Sequence, residues 1–147
     1  MSTTSNLIKS SYFKVEYGGK EIPTVTDVDL PTMEYEPIKH SSGQNVPDSE
    51  SQGIPRYGDL IVKRDMVEGQ DTTLYKAFET AQTTPDTGSI KKDVIVYVKN
   101  VKDKTIWKLK MSGCWVKSYD PPDLVSTHSD TLTETFTISI DEMKQEA

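Results

Sequence analysis

The sequence has a single cysteine, Cys114, so no disulfide bond can form within the chain. No apolar run approaches the roughly 20 residues that a membrane helix needs. The first six residues, MSTTSN, carry neither the basic nor the apolar region of a secretory signal. We therefore expect a protein without a membrane span that is made and kept in a reducing, aqueous compartment, most simply the cytoplasm.

The side-chain clusters needed for catalysis or metal binding are also missing from the sequence. His40, His128 and Cys114 are far apart and match no metal-ligand spacing. The spacing of Gly53 and Gly58 lacks the Lys-Ser/Thr pair of a phosphate-binding loop. No nucleophile, base and orienting group form a recognisable set. We expect no enzymatic activity, no metal and no cofactor.

Charge and composition limit the remaining classes of protein. The chain has 147 residues and a net charge of −6, which argues against sequence-independent binding to nucleic acid through phosphate neutralisation. Only 34% of the residues are hydrophobic, so the core must be thin. The length fits one domain. We expect a loose arm at 1–10 and a single domain at 11–147.

Alternation of apolar and polar residues indicates strands along most of the chain. Gly18-Gly19 is typical of a hairpin turn, and Gly113 indicates a bulge in a long strand. The predicted strands cover residues 12–17, 21–30, 33–39, 57–67, 92–99, 105–117 and 131–140. Their short connections favour antiparallel pairing, so we expect a β-barrel or sandwich.

One segment has a helical pattern instead. Leu74, Ala77, Phe78 and Ala81 are spaced to form one apolar stripe. Asp71 precedes this stripe and is a suitable helix cap. The predicted fold class is therefore mainly β (α+β), an antiparallel barrel or sandwich with one flanking α-helix.

Two segments suggest contacts beyond the subunit. The strand at 92–99 is apolar on both sides, so either the helix or a partner subunit is expected to cover its outer face. The polar segment at 40–55 lacks periodicity and is long for a compact domain, which is typical of functional or disordered loops.

The last predicted strand has two different faces. Leu132, Phe136, Ile138 and Ile140 form an apolar row, which Glu134 interrupts. The opposite face is a row of Thr and Ser side chains. Such a row suits a wetted wall or a close contact between strands, and an ordinary solvent-facing surface explains it equally well.

The order of several short motifs resembles the contractile tail tube family. This family forms the inner tube of T4-like phage tails and of phage-derived contractile injection systems, and it is related in fold to the type VI secretion tube. The resemblance covers residues 8–140. Asp65 stands where the family has glycine. The matching segments are Gly53-Ile54-Pro55, Tyr57-Gly58, Leu60 to Arg64, the helix with Leu74 and Phe78, Trp107, and Gly113-Cys114-Trp115-Val116-Lys117 with Pro121.

The resemblance implies six-membered rings that stack into a hollow tube. It implies as partners further copies of the chain, a contractile sheath, baseplate and tail terminator proteins, and DNA or effector cargo in the lumen. It also implies assembly in the bacterial cytoplasm, as part of a virion tail or an injection particle. The candidate subunit-interface residues are Ser42, Gly43, Asn45, Val46, Gly53, Ile54, Pro55, Val94, Val96, Val98 and Trp115.

Three other interpretations remain open at this point. The chain could form a secreted ring that carries an effector in its lumen, or it could initiate or terminate a tube. A β-barrel that binds a small ligand is a third possibility, although the hydroxyl row favours a wet surface over a closed apolar interior. The sequence does not distinguish a virion from a cellular injection device.

Overall fold

The computed structural model describes residues 12–40, 49–127 and 130–146. The predicted arm at 1–10 lies outside these residues. The one α-helix among them, α1, spans Thr73–Thr83. The strands are β1 Phe13–Tyr17, β2 Lys20–Glu21, β3 Val25–Asp29, β4 Met33–Tyr35, β5 Ile38–His40, β6 Ser49–Ser51, β7 Pro55–Tyr57, β8 Leu60–Asp65, β9 Lys92–Lys99, β10 Thr105–Asp120, β11 Thr133–Ser139 and β12 Glu142–Glu146.

Eight of these strands form one antiparallel sheet. Its order is β2-β1-β9-β10-β11-β8-β3, and β12 also pairs with β10. The long strand β10 belongs to both halves of the sheet. Its first part pairs with β9 and β12, and its second part pairs with β11. The predicted bulge at Gly113 is present where the register shifts, with a φ of 65° that favours glycine.

The sheet curls so that its two halves enclose one core. Residues of β3, near one end of the strand order, line the same groove as residues of β1, near the other end. The fully buried side chains come from both halves, because alternate residues of each strand point inward. They include Val15, Val94, Met111, Leu60, Val62, Phe136 and Ile138. The predicted mainly β fold with one helix is therefore confirmed.

The helix packs against the second part of β10. Leu74 is 1% exposed and anchors the helix in the core. Tyr75 and Phe78 lie against the ring of Tyr119, at centroid distances of 5.3 and 6.3 Å. Asp71 contributes as expected, since its Oδ1 accepts a hydrogen bond from the Thr73 amide at 2.8 Å, although the capping position itself is Thr72.

The predicted strand at 21–30 is wrong as a single element. The chain turns between β2 and β3, where Thr24 adopts a φ of 61° and its hydroxyl donates to the Asp65 carbonyl oxygen at 2.8 Å. Pro23, which cannot donate to a ladder, lies in this turn. Leu30 lies beyond β3 and is 39% exposed, so it does not join the buried row.

Three other expectations about strands also need correction. The predicted strand at 33–39 is divided into β4 and β5, and the predicted strand at 57–67 is divided between β7 and β8. The short strands pair locally, β4 with β7 and β5 with β6. His40 therefore belongs to a strand. The loop predicted at 40–55 includes β6. The final strand β12 was not predicted at all, since Glu142–Glu146 has one apolar residue and is held by its pairing with β10.

Candidate assembly surfaces

Strands β4 and β7 form a two-stranded ribbon with one apolar and one charged face. Met33 and Tyr35 alternate with Glu34, and the register places Tyr35 opposite Pro55 and Glu34 opposite Arg56. Alternate residues of a strand face opposite sides, so Met33, Tyr35 and Pro55 share one side. Met33 is 58% and Tyr35 55% exposed. Tyr57, opposite Met33, lies on the same side and packs partly against the core, so this face is exposed at Met33, Tyr35 and Pro55 and partly covered at Tyr57.

The ribbon continues into the β5–β6 pair through a close backbone approach. The Glu36 amide donates to the Ile54 carbonyl oxygen at 3.3 Å. A Cβ atom on Gly53 would overlap the Glu36 carbonyl oxygen, so the approach requires glycine there. Ile54 is 77% exposed, and Arg56 and Glu36 form an ion pair on the charged side.

The candidate interface residues lie in different environments. Ser42, Gly43, Asn45 and Val46 lie outside the described residues. Gly53 and Ile54 lead directly into β7, which begins at Pro55. Val94 and Val96 are 0% and 3% exposed and belong to the subunit's own core, whereas Val98 is half-buried beside a groove. Trp115 is half-buried on β10, opposite Ser139 of β11.

The half of the sheet made by β2, β1, β9, β10 and β12 has a charge-balanced outer face. Ile95 and Tyr97 lie at the centre of this face. The helix packs on the second part of β10, which belongs to the other half of the sheet. The Tyr97 hydroxyl donates to Glu16 Oε2 at 2.7 Å, and this bond raises the pKa of Tyr97 to about 12. The charged residues that share this face are Lys14, Lys99, Lys108, Lys110 and Lys144 with Glu16, Glu21, Asp93, Glu142 and Glu146.

Several of these charges pair across neighbouring strands. Lys108 Nζ lies 3.3 Å from Glu146 Oε2 and 5.5 Å from the centre of the Tyr97 ring. Lys14 Nζ lies 3.5 Å from Glu21 Oε1. Opposite charges on adjacent strands stabilise a sheet face modestly and leave it without net charge.

The other half of the sheet carries the hydroxyl row on its outer face. Thr135, Thr137 and Ser139 of β11 are half-buried and alternate with the core residues Phe136 and Ile138. The neighbouring residues on this face are Ser118 and Asp120 of β10 and Ile61 and Lys63 of β8. The predicted separation of hydroxyl and apolar faces is present, but Leu132 lies before β11 and is 38% exposed.

An apolar groove lies where the curled sheet does not close. It has a volume of about 530 Å³ and is bordered by β3 on one side and by β1, β9 and β10 on the other. Among the described residues, β3 pairs only with β8, so its second edge is free. The apolar side chains that line the groove are Phe13, Val28, Leu30, Val96, Val98 and Trp107. We call this feature the seam groove.

A buried polar cluster holds the start of the helix against the sheet. Arg64 and Glu134 are cross-strand partners, 1% and 3% exposed, and Arg64 Nε lies 3.6 Å from Glu134 Oε1. Glu134 also accepts hydrogen bonds from the Tyr119 hydroxyl at 2.8 Å and from Gln70 Nε2 at 3.3 Å. Arg64 Nη1 donates to the Asp71 carbonyl oxygen at 2.9 Å.

The pKa shifts around this cluster agree with its geometry. Burial, followed by the hydrogen bond to Glu134, raises the pKa of Tyr119 to about 12. Hydrogen bonds from Lys20 and Thr73 hold the pKa of Asp71 well below its usual range. Tyr119 therefore remains a hydrogen-bond donor at neutral pH, and Asp71 remains charged beside Lys20.

Sequence reasoning missed the two features that are most relevant to assembly and packing. The alternation Met33-Glu34-Tyr35 was a signal for the amphipathic ribbon, but it was included in a longer strand. Glu134 was recognised as an exception in its apolar row. The signal for its partner was Arg64, which occupies the next inward position after Leu60 and Val62.

Two kinds of feature are absent from the described part of the chain. Within 12–40, 49–127 and 130–146, no group of three or more His, Cys, Asp and Glu side chains could hold a metal ion. No helix in the described part of the chain is long and apolar enough to cross a membrane.

The described residues thus form an antiparallel sheet curled around one core, with one packed helix and a separate two-stranded ribbon. The family model for the T4-like virus tail tube protein gp19 matches residues 9–144. The chain therefore belongs to the T4-like virus tail tube protein family. A comparison with curated protein sequences found no match.

Solved structures of tube proteins share the fold. The sheath-tube complex of PVC, an extracellular contractile injection system, contains a chain with a TM-score of 0.84 at 18% identity, covering 100% of this chain and 99% of that one. A chain in the structure of the tube terminating cap of the anti-feeding prophage has a TM-score of 0.83 at 16% identity, with 99% of each chain covered. Hcp1 from Flavobacterium johnsoniae has a TM-score of 0.58 at 20% identity, covering 91% of this chain and 94% of that one.

Proposed function

We propose that this chain is a structural inner-tube subunit of a contractile phage tail or contractile injection system. The family match over residues 9–144 carries the proposal. The fold shared with tube chains over the full length supports it. Hexameric rings of the subunit stack into a hollow conduit, which sheath contraction drives through a target envelope.

The surfaces of the subunit suit this role. The ribbon and the free edge of β3 are different surfaces, so a contact between unlike surfaces of neighbouring copies can close into a ring or continue into a stack. Pairing of sheet edges between copies would also protect edge strands from unwanted association. The tube works as a conduit and piston for DNA or effectors and performs no bond chemistry itself.

The proposed partners follow from the same assembly. The tube contacts its contractile sheath along its length, and baseplate and terminator proteins at its two ends. The particle is assembled in the bacterial cytoplasm. The structures that share the fold include a sheath-tube complex and a six-fold symmetrised baseplate, which supports these partners.

A second candidate role is that of a tube terminator or initiator. A chain in the PVC sheath/tube terminator structure has a TM-score of 0.85 at 18% identity, as high as that of the chain in the sheath-tube complex. A terminator adds one ring and stops, whereas a tube protein stacks further. A secreted ring that carries an effector would also remain as isolated rings.

Negative-stain electron microscopy at low and high protein concentration, with light scattering in parallel, tests the proposal. We expect six-fold rings that stack into tubes as the concentration rises. Single rings at every concentration would favour the terminator or carrier role. A monomer at all concentrations that also binds a small ligand would overturn the tube proposal.

A further inference from the structure

Strands β2 and β3 lie at opposite ends of the strand order, although they follow one another in the chain. Ile22, Pro23 and Thr24 alone connect them. We call β2 together with this connection, residues 20–24, the corner. The corner joins the two ends of the curled sheet, whereas the seam groove lies where β3 and β1 stay apart.

The corner contains a strained backbone. Thr24 has a φ of 61°, which a β-branched residue rarely adopts because its side chain crowds the backbone. Such a conformation costs free energy and persists only where neighbouring contacts impose it. The Thr24 hydroxyl donates to the Asp65 carbonyl oxygen at 2.8 Å, and the Asp65 amide donates to the Thr24 carbonyl oxygen at 3.0 Å. The Ile22 amide donates to the Val15 carbonyl oxygen at 2.8 Å, and Ile22 is 3% exposed. These contacts hold the corner against the strain.

An ion pair also holds β2 in place. The strand has only two residues, both exposed, and among the described residues it pairs only with β1. Lys20 Nζ lies 2.7 Å from Asp71 Oδ2. Asp71 Oδ1 accepts a hydrogen bond from the Thr73 amide, and the Asp71 carbonyl oxygen accepts one from Arg64 Nη1. Asp71 therefore connects the corner to the start of the helix and to the buried polar cluster.

We propose that the Lys20–Asp71 ion pair is a latch, which keeps the strained corner closed and whose release opens the corner while the rest of the subunit stays folded. Opening frees the outer edge of β1, since β2 and Ile22 cover this edge. A free strand edge can pair with another chain, so the latch protects the subunit from unwanted association. The inference goes beyond the tube function and does not depend on it, because every contact involved lies within one subunit.

Native-state hydrogen exchange of the dilute subunit tests the latch, because it measures local openings of a folded protein. The reporters are the amides of Ile22 and Asp65, whose hydrogen bonds to Val15 and Thr24 break when the corner opens. In the wild type, we expect these two amides to exchange through one shared opening with little dependence on urea. The amides of β9, which is paired on both sides, should exchange more slowly.

Lys20→Met removes the ammonium group and keeps the apolar stem of the side chain. An ion pair with an exposed lysine contributes modestly, so we expect both reporter amides to exchange about three- to fivefold faster. Asp71→Asn, which keeps an oxygen for the Thr73 amide, should have the same effect. The double variant should exchange no faster than either single variant, because both remove the same interaction. Lys20→Arg, which keeps the charge, should exchange like the wild type.

Lys117→Met is the matched control, since it breaks another lysine–aspartate pair with a separation of 2.7 Å that lies outside the corner. This pair stays intact when the corner opens, so the control should leave the reporter amides unchanged. Equal exchange rates of the reporter amides in Lys20→Met and Lys117→Met would overturn the latch. Reporter amides that exchange only together with the β9 amides, with the full urea dependence of unfolding, would contradict a separate opening of the corner.

Discussion

At the scale of single residues, the Arg64–Glu134 pair connects four elements of the molecule. It joins β8 to β11 directly, reaches β10 through Tyr119, and reaches the start of the helix through the Asp71 carbonyl. Two charges removed from water are stabilised only when they are paired and hydrogen-bonded, so the loss of one partner is costly. The pair therefore makes the position of the helix depend on the correct register of β8 and β11.

Glu134→Ala removes one charge and leaves Arg64 buried without its partner. We expect the free energy of unfolding to fall by about 3–5 kcal/mol. The measurement is urea denaturation of the monomer, at a concentration where light scattering detects no assembly. The control is Lys117→Ala, which breaks the Lys117–Asp59 pair, 39% exposed on both sides, and should cost no more than about 1 kcal/mol. Equal losses in the two variants would contradict a structural role for the buried pair.

At the scale of secondary-structure elements, the predictable strands are those whose pattern is determined by burial. Lys92–Lys99 is a run of β-branched and aromatic residues with Val94 and Val96 in the core, and β9 has the predicted bounds. The same holds for the apolar residues of β10 around Leu109, although that strand extends three residues further than predicted. A strand with one face in the core imposes a period of two on its own sequence.

The missed elements are those that other strands hold in place. β12 has the sequence Glu142-Met143-Lys144-Gln145-Glu146, which lacks a continuous apolar row, and its backbone pairing with β10 forms it. The turn between β2 and β3 depends on Thr24 bonding to Asp65, a residue 41 positions away. Such contacts between distant residues leave no local pattern. Val94 and Val96, two of the candidate interface residues, are buried in the subunit's own core, and this burial accounts for their apolar character.

The helix α1 depends on a single buried anchor. Leu74 is 1% exposed, whereas the other apolar residues of its stripe are only half-buried. Leu74→Ala should lower the free energy of unfolding by about 2–5 kcal/mol, because it leaves a cavity between the helix and the core. Urea denaturation measures the loss, and near-ultraviolet circular dichroism reports whether the rings around Tyr119 are still ordered.

The exposed Glu79 on the same helix is the matched control. Glu79→Ala should change stability by less than about 0.5 kcal/mol, since it removes no buried contact. A Leu74→Ala variant as stable as Glu79→Ala would show that the helix is held by its ring contacts and polar cluster alone.

At the scale of the whole molecule, charge opposes assembly while the apolar surfaces promote it. The chain carries a net charge of −6, so copies repel one another at neutral pH. The outer face around Ile95 and Tyr97 has equal numbers of lysines and carboxylates and contributes little to this repulsion. Exposed apolar side chains, among them Met33 and Tyr35 of the ribbon, let copies gain free energy by excluding water when a contact covers them.

This balance predicts how assembly responds to salt. Raising NaCl from about 0.1 M to about 1 M shortens the screening length from about 10 Å to about 3 Å, which weakens the repulsion and leaves an apolar contact intact. Tubes measured by sedimentation should therefore persist or increase in high NaCl. Guanidinium chloride at the same ionic strength is the control, because it screens charge equally but weakens apolar burial, and it should dissociate them. Tubes that dissociate in NaCl as readily as in guanidinium chloride would show that ion pairs, and not apolar burial, hold the copies together.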